Sequence, residues 1–307
     1  MLPKMNDKFA AFIEPARHSR GGLSLALILL LLFYAVFMAK ILLFIALLDV
    51  VLLGVDFPSA FVILITSLTD PTTPRDTIIR LSTFCAMLGA VWITTLILRR
   101  QSLCALVGPG PVLRNFGIAV LAMVPIVLIT FVLSLWFGEV HPNLSLGIWL
   151  VWMLPALPLL LIQVSSEELI FRGYFLQELA VRFKSRWVWI IVPSIFFGFL
   201  HHDPIRMGSN ALLIVIVTIF FSIIATDVTV RTGNLGAAIG LHFINNLQSM
   251  MLLSLDGTLN GLSFYVTYTH VLDETSVRTM ILSNICFFAV AYFTYLLVIR
   301  SRERKLA

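Results

Sequence analysis

The chain has 307 residues, of which 59% are apolar and only 12% are charged, and its formal net charge is +5. An ordinary soluble domain carries about a quarter charged residues, and it could not hide so much apolar side chain from water. The composition therefore excludes a soluble globular protein, a disordered chain, a coiled coil and a disulfide scaffold. It leaves an all-α polytopic membrane protein.

Eight apolar segments approach the length of roughly 20 residues that a membrane-spanning helix needs. They are residues 23–48, 78–98, 116–137, 150–182, 187–203, 210–230, 234–254 and 280–299. We interpret the first as an uncleaved span, because its apolar run is too long for a signal peptide. Pro155 and Pro158 are expected to interrupt the fourth. Residues 57–68 are apolar but short, which favours a re-entrant or surface-lying segment.

The basic residues predict the orientation. With the N-terminus inside, the inner segments hold 16 of the 21 Lys and Arg residues, counting Arg172, and the outer segments hold 4. This bias is typical of a membrane protein with cytoplasmic termini, and it argues against nucleic acid as a partner. The predicted organisation is a cytoplasmic segment (1–22), one membrane-embedded helical domain (23–299) and a basic cytoplasmic tail (300–307).

Three polar clusters interrupt the later apolar segments, where a charge costs at least ~2.5–3.5 kcal/mol. The first contains Glu167, Glu168 and Arg172. On a helix Glu168 and Arg172 share a face, whereas Glu167 points about 100° away. One glutamate can therefore pair with the arginine while Glu167 stays free, which suits a general base. A solvated helix end is the simpler alternative.

The second cluster places Phe197 and His201 one helical turn apart, followed by His202. Counted from the inner ends of their helices, His201 and Glu167 lie at similar depths of ~21 and ~22 Å. They could therefore meet, although a histidine at a wet helix end is an equally simple interpretation of His201. For His202, beside Asp203, we favour the wet helix end.

The third cluster places His242 and Asn246 on one helix face, four residues apart. Two such groups could donate hydrogen bonds to a developing oxyanion. The alternative is a hydrogen bond between helices, which is common for these residue types in membranes. Gly236 and Gly240, just before, predict close helix packing rather than ligand binding.

Together the motifs Glu-Glu-x-x-x-Arg, Phe-x-x-x-His and His-x-x-x-Asn resemble the CAAX endopeptidase and bacteriocin-processing (CPBP, or ABI) family of intramembrane proteases, which includes type II CAAX prenyl endopeptidases. The resemblance covers roughly residues 145–255, with the motifs within 165–246. It implies the catalytic residues Glu167, His201, His242 and Asn246, with Glu168, Arg172 and Phe197 in support. Glu167 would activate water with the help of His201. His242 and Asn246 would stabilise the oxyanion.

The family has been described both as glutamate-dependent and as metal-dependent. If zinc is present, Glu167, His201 and His242 would form a two-histidine, one-carboxylate set. Asn246 is a poor zinc ligand, so we favour a mechanism without metal or other cofactor. The sequence has no Gly-x-Ser-x-Gly and no His-Glu-x-x-His motif, so neither a serine nucleophile nor a conventional zincin is supported.

The implied function is an intramembrane endopeptidase that cleaves a membrane-associated peptide, either prenylated and of CAAX type or a leader peptide. Two alternatives remain. One is a non-proteolytic scaffold or bacteriocin self-immunity protein of the same fold, and the other is a proton-coupled transporter. The short loops favour a multi-pass protein of the bacterial plasma (inner) membrane. The sequence indicates no oligomeric state.

Overall fold

A computed structural model describes the backbone of residues 7–306 and the side chains as far as Ile299. Lys4 and the side chains of the tail 300–307, which the orientation argument counts, lie outside the described residues. The described chain forms fourteen α-helices. They are α1 (Asp7–Ile13), α2 (Leu23–Leu53), α3 (Phe57–Thr69), α4 (Pro74–Ser82), α5 (Phe84–Arg99), α6 (Cys104–Val107), α7 (Val112–Trp136), α8 (Leu146–Glu168), α9 (Leu176–Arg182), α10 (Arg186–Phe199), α11 (Pro204–Met207), α12 (Ala211–Thr232), α13 (Gly236–Leu247) and α14 (Glu274–Leu306).

Six helical stretches in the described part of the chain are long and apolar enough to cross a membrane. They are Leu23–Leu53, Pro74–Arg99, Val112–Trp136, Leu146–Arg182, Pro204–Thr232 and Glu274–Ile299. The chain is therefore an all-α polytopic membrane protein, as its composition predicts. The two other predicted spans, 187–203 and 234–254, correspond to the shorter helices α10 and α13. A total of eight spans, like the orientation, stays a prediction.

The expected interruption of the fourth span is wrong. α8 runs through Pro155 and Pro158 without a break and continues, through a π-helical stretch at Leu169–Phe175, into α9. The whole helical stretch has 37 residues. Proline is tolerated in membrane helices because neighbouring groups satisfy the backbone carbonyls that it frees.

The short apolar segment 57–68 forms α3, which has 13 residues. Its Leu64 packs against Ile45 and Ala46 of α2. Asp56 begins the helix by accepting a hydrogen bond from the Ser59 backbone N–H. Hydrogen bonding to the Ser59 side chain, and then to its backbone, lowers the pKa of the Asp56 carboxyl. At about 1.5 Å per residue α3 is too short to span a bilayer.

Three short strands were not expected from the sequence. They are β1 (Val140–Pro142), β2 (Leu253–Asp256) and β3 (Tyr265–His270), with β3 in the middle, antiparallel to β1 and parallel to β2. Strands of three to six residues are too short for their hydrophobic alternation to be recognised. The sheet joins the segment before α8 to the segment after α13, and these two helices carry most of the site described below.

Helices α7 and α13 pack closely, as the two glycines predict. A Cβ atom on Gly236 would lie 2.2 Å from the Val112 carbonyl oxygen, and one on Gly240 would lie 2.7 Å from that of Phe116. Real Cβ contacts are not this short, so only glycine allows the two backbones to approach this far.

We expect Gly240→Ala to destabilise the protein by about 1–3 kcal/mol, because the new methyl group meets a backbone that cannot move aside. Thermal unfolding of the detergent-solubilised protein measures this loss. Gly117→Ala is the matched control on α7, since no atom lies within 4 Å of its Cβ position. Equal melting temperatures for the two variants would contradict the close packing.

Candidate active site

A buried ion pair lies where α8 ends. Glu168 accepts a hydrogen bond from Arg172, with 2.8 Å between Oε1 and Nη1, and both side chains are almost completely buried. This pairing is the one that the four-residue spacing predicts. The guanidinium of Arg172 also lies 4.4 Å from the centre of the Phe197 ring, at a distance that favours a cation–π contact. Arg172 is therefore part of the protein interior.

His242 of α13 joins the same carboxylate. Its Nδ1 lies 2.8 Å from Glu168 Oε1. A carboxylate accepts hydrogen bonds, so Nδ1 carries the proton. The other ring nitrogen, Nε2, lies 3.6 Å from Glu167 Oε2. The Phe221 ring packs against the histidine at 5.3 Å between ring centres. Glu168 thus fixes both the orientation of His242 and the nitrogen that faces Glu167.

Glu168 Oε2 lacks a hydrogen-bond partner among the described residues, but Glu168 Oε1 is bound by Arg172 and His242. Glu167 has no such partners. Its side chain is buried, and its Oε2 also has no hydrogen-bond partner among the described residues. Oε1 lies 3.5 Å from the Nε2 of Gln163. A buried carboxylate oxygen without an internal donor is available to exchange a proton with a bound molecule. The sequence prediction of one paired and one free glutamate agrees with this arrangement.

Asn246 is half-buried and reaches the site through Gln163, which the sequence argument missed. Its Nδ2 lies 3.4 Å from Gln163 Oε1, and its Oδ1 accepts a hydrogen bond from Asn245 at 3.0 Å. Gln163 stands four residues before Glu167. A search for polar residues one turn from the glutamates would have found it.

His201 is not brought to Glu167. It is exposed just beyond the end of α10, its Nδ1 lies 2.9 Å from the Phe197 carbonyl oxygen, and its ring lies 4.9 Å from the Phe197 ring. Within the described residues it forms no hydrogen bond or ion pair with Glu167. The estimate of equal depth placed both residues at one level, but it carried no information on the side-chain direction. His202 is exposed, as expected.

The donor set that the sequence suggested for zinc does not come together. No group of three His, Cys, Asp or Glu side chains in the described part of the chain is placed to hold a metal ion. His242 Nδ1 is bound to Glu168, and His201 bonds to its own helix. Only Glu167 Oε2 and His242 Nε2 face each other, and two donors do not make a zinc site.

A second buried network, also missed, lies at the other end of the same helix. Arg99 of α5 binds Glu178 of α9 at 2.6 Å between Nη2 and Oε1, and both side chains are almost completely buried. Arg99 also donates to Gln177 and lies over the Tyr174 ring, while Arg182 pairs with Glu178 from the edge. This network ties α5 to α9 and contacts none of the candidate catalytic residues.

Comparisons with known proteins agree with the resemblance. Residues 145–248 match the family described as Type II CAAX prenyl endopeptidase Rce1-like, and all seven candidate residues lie inside this match. The segment that holds the site is therefore similar to Rce1-like proteins.

The "Uncharacterized protein YyaK" of Bacillus subtilis (strain 168) is 31% identical over 149 residues, which are 46% of this chain. The match spans about half of that relative, 47% of its length. No solved structure matches the chain significantly.

We expect Arg172→Met to destabilise the protein by about 3–5 kcal/mol, because the variant leaves the Glu168 charge buried without its cation. Arg231→Met is the matched control. Arg231 also pairs with a carboxylate four residues away, Asp227, but both side chains are partly exposed, so we expect a loss of about 0–1 kcal/mol. Thermal unfolding in detergent compares the two. Equal losses of stability in the two variants would show that burying the ion pair does not raise the cost of removing its arginine.

Proposed function

We propose that the protein is an intramembrane endopeptidase that hydrolyses a peptide bond of a membrane-associated peptide by activating water. One observation carries the proposal. Glu167 has a buried, unpartnered carboxylate oxygen 3.6 Å from a histidine nitrogen whose orientation a second glutamate fixes. The family match over the same residues supports it.

In this mechanism Glu167 Oε2 takes a proton from water as the water attacks the peptide carbonyl, and later returns it to the leaving amine. His242 holds one proton on Nδ1 against Glu168. The proposed oxyanion role requires a second proton, on Nε2. Nε2–H then donates to the carbonyl oxygen as its negative charge develops. The second N–H of the Asn246 amide supplies a further donor.

His201 is proposed to assist Glu167 from the exposed end of α10. Its Nδ1 donates to the Phe197 carbonyl, so in the neutral ring Nε2 is left as an acceptor. A base in this tautomer can orient the attacking water, provided that a bound peptide closes the distance to Glu167. The Phe197 ring, packed between Arg172 and His201, would set the ring direction.

The proposed substrate is a prenylated CAAX-type or leader peptide, and the proposed location is a bacterial plasma membrane with both chain termini in the cytoplasm. The 16-to-4 charge bias supports this orientation, and the bacterial relative supports the source. We further propose that residues 23–299 form one membrane-embedded domain, in which α10 and α13 complete eight spans.

We expect Glu167→Gln to lower kcat by about 10²–10⁴-fold, because the amide cannot accept the proton of water. Thermal unfolding should change little, since Glu167 Oε2 accepts no hydrogen bond among the described residues. A panel of quenched fluorescent peptides, assayed in proteoliposomes, measures the effect, and a chelator should leave the wild-type rate unchanged.

Full activity of Glu167→Gln would contradict the proposed base. A variant that is inactive on peptides but still complements a deletion strain would favour the scaffold or self-immunity role. Proton-driven flux without cleavage would favour a transporter.

The two adjacent histidines provide a matched pair. We expect His201→Ala to lower kcat by about 10²-fold or more, since general acid–base assistance is lost. His202→Ala, equally exposed and one residue away, should retain the wild-type rate. The same peptide assay compares them, and equal activities would remove His201 from the mechanism.

A further inference from the structure

We propose that Gln163 is a positioning residue of this site, which holds the base Glu167 and the oxyanion donor Asn246 in one hydrogen-bonded chain. The inference rests on the proposed endopeptidase function and deepens it. None of the three family motifs includes Gln163, which lies four residues before the first motif.

Gln163 is placed to reach both residues at once. It is buried on α8, one helical turn before Glu167. Its Nε2 donates to Glu167 Oε1 at 3.5 Å, and its Oε1 accepts from Asn246 Nδ2 at 3.4 Å. It therefore links α8 to α13 through the two side chains with opposite proposed roles, proton acceptor and hydrogen-bond donor.

The hydrogen bonds of this network all run in one direction. Asn245 Nδ2 donates to Asn246 Oδ1 at 3.0 Å, Asn246 donates to Gln163, and Gln163 donates to the carboxylate. Each amide accepts through oxygen and donates through nitrogen, so the three amides point the same way. Turning Gln163 over would set its oxygen against the Glu167 carboxylate and its NH₂ against that of Asn246. The Glu167 carboxylate, the last acceptor in this network, thus fixes the orientation of the three amides.

Two consequences follow for catalysis. Because Gln163 holds Oε1, the oxygen left to accept a proton is Oε2, which faces His242. Because Asn246 uses one Nδ2 proton on Gln163, its amide is held in one rotamer and its other Nδ2 proton remains for the substrate. A small displacement of either group can cost about 10²-fold in rate, since these groups act only when placed correctly.

A structural role alone would have a different signature. A polar bond between two membrane helices stabilises their packing, and its loss would lower the melting temperature without changing kcat. The proposal instead predicts a change in kcat and energetic coupling between Gln163 and Asn246.

The experiment measures kcat, KM and melting temperature for Gln163→Met, Asn246→Ala and the double variant. Methionine keeps the length of the side chain and removes both hydrogen bonds. We expect Gln163→Met to lower kcat by about 10- to 100-fold with KM changed less than about threefold. In the Asn246→Ala background the same substitution should have a clearly smaller effect, because the chain is already broken.

Gln177→Met is the matched control. Gln177 is also a buried glutamine of the same helical stretch, but it bonds to Arg99 and to a backbone carbonyl instead. Its effect on kcat should be small and should multiply with that of Asn246→Ala. Gln163→Glu is a second variant of nearly identical shape. It keeps an acceptor for Asn246 but sets a like charge beside Glu167, so we expect it to be less active than Gln163→Met.

An unchanged kcat in Gln163→Met, or effects of Gln163→Met and Asn246→Ala that simply multiply, would overturn the positioning role. A lowered melting temperature with wild-type kcat would do the same. If Glu167→Gln retains full activity, or wild type cleaves no peptide, the proposed function fails first and this inference fails with it. Loss of activity in Glu167→Gln with wild-type kinetics in both Gln163 variants overturns the inference alone.

Discussion

The buried side chains of Arg172, Glu168 and His242 constrain the centre of the molecule. A charge held away from water in a membrane domain is costly, and removing one partner of such a set leaves the others uncompensated. Glu168 Oε1 therefore accepts hydrogen bonds from both Arg172 Nη1 and His242 Nδ1, each at 2.8 Å. The Phe197 ring lies over Arg172 and the Phe221 ring lies against His242. Four helices, α8, α10, α12 and α13, meet around one carboxylate oxygen.

This arrangement gives two adjacent glutamates different chemistry. Glu168 is bound by a cation and a histidine, so it has a structural and orienting role. Glu167, turned to another helix face, accepts only the 3.5 Å hydrogen bond from Gln163 among the described residues. Pairs of carboxylates whose surroundings differ in this way are a common means of separating a reacting group from its support. The difference here comes from helix periodicity. Both glutamates face His242 of α13, but only Glu168 also has Arg172 four residues further along the same helix face.

Local spacing predicted the parts of the site that depend on a single helix. The Glu168–Arg172 pair and the close approach at Gly236 and Gly240 follow from residues four apart, and six of the eight apolar segments match long apolar helices. Contacts between helices were harder to predict. The depth estimate put His201 level with Glu167, but the direction of its side chain is set by the bond to Phe197, which no spacing shows. Gln163 was missed because its importance lies in its partner on α13.

The other differences between prediction and structure have separate physical causes. The prolines of α8 indicated an interruption, but their effect depends on what neighbouring helices supply to the freed carbonyls. The Arg99–Glu178 pair joins residues 79 positions apart, a separation at which a single sequence gives no pairing signal. The three-stranded sheet consists of strands too short to show an alternating pattern.

The π-helical stretch at Leu169–Phe175 lies on one continuous helix between the Glu168–His242 contact and the Glu178–Arg99 contact. Its wider hydrogen-bonding pattern sets how far the part of the helix after Phe175 is rotated relative to the part before Leu169. Deleting one residue there would rotate everything after it by about 100° and shift it by about 1.5 Å. Glu178 would then turn away from Arg99 while Glu168 stayed on His242. The number of residues in this stretch is therefore as strictly constrained as the identity of the charged residues on either side, although its backbone touches no reacting atom.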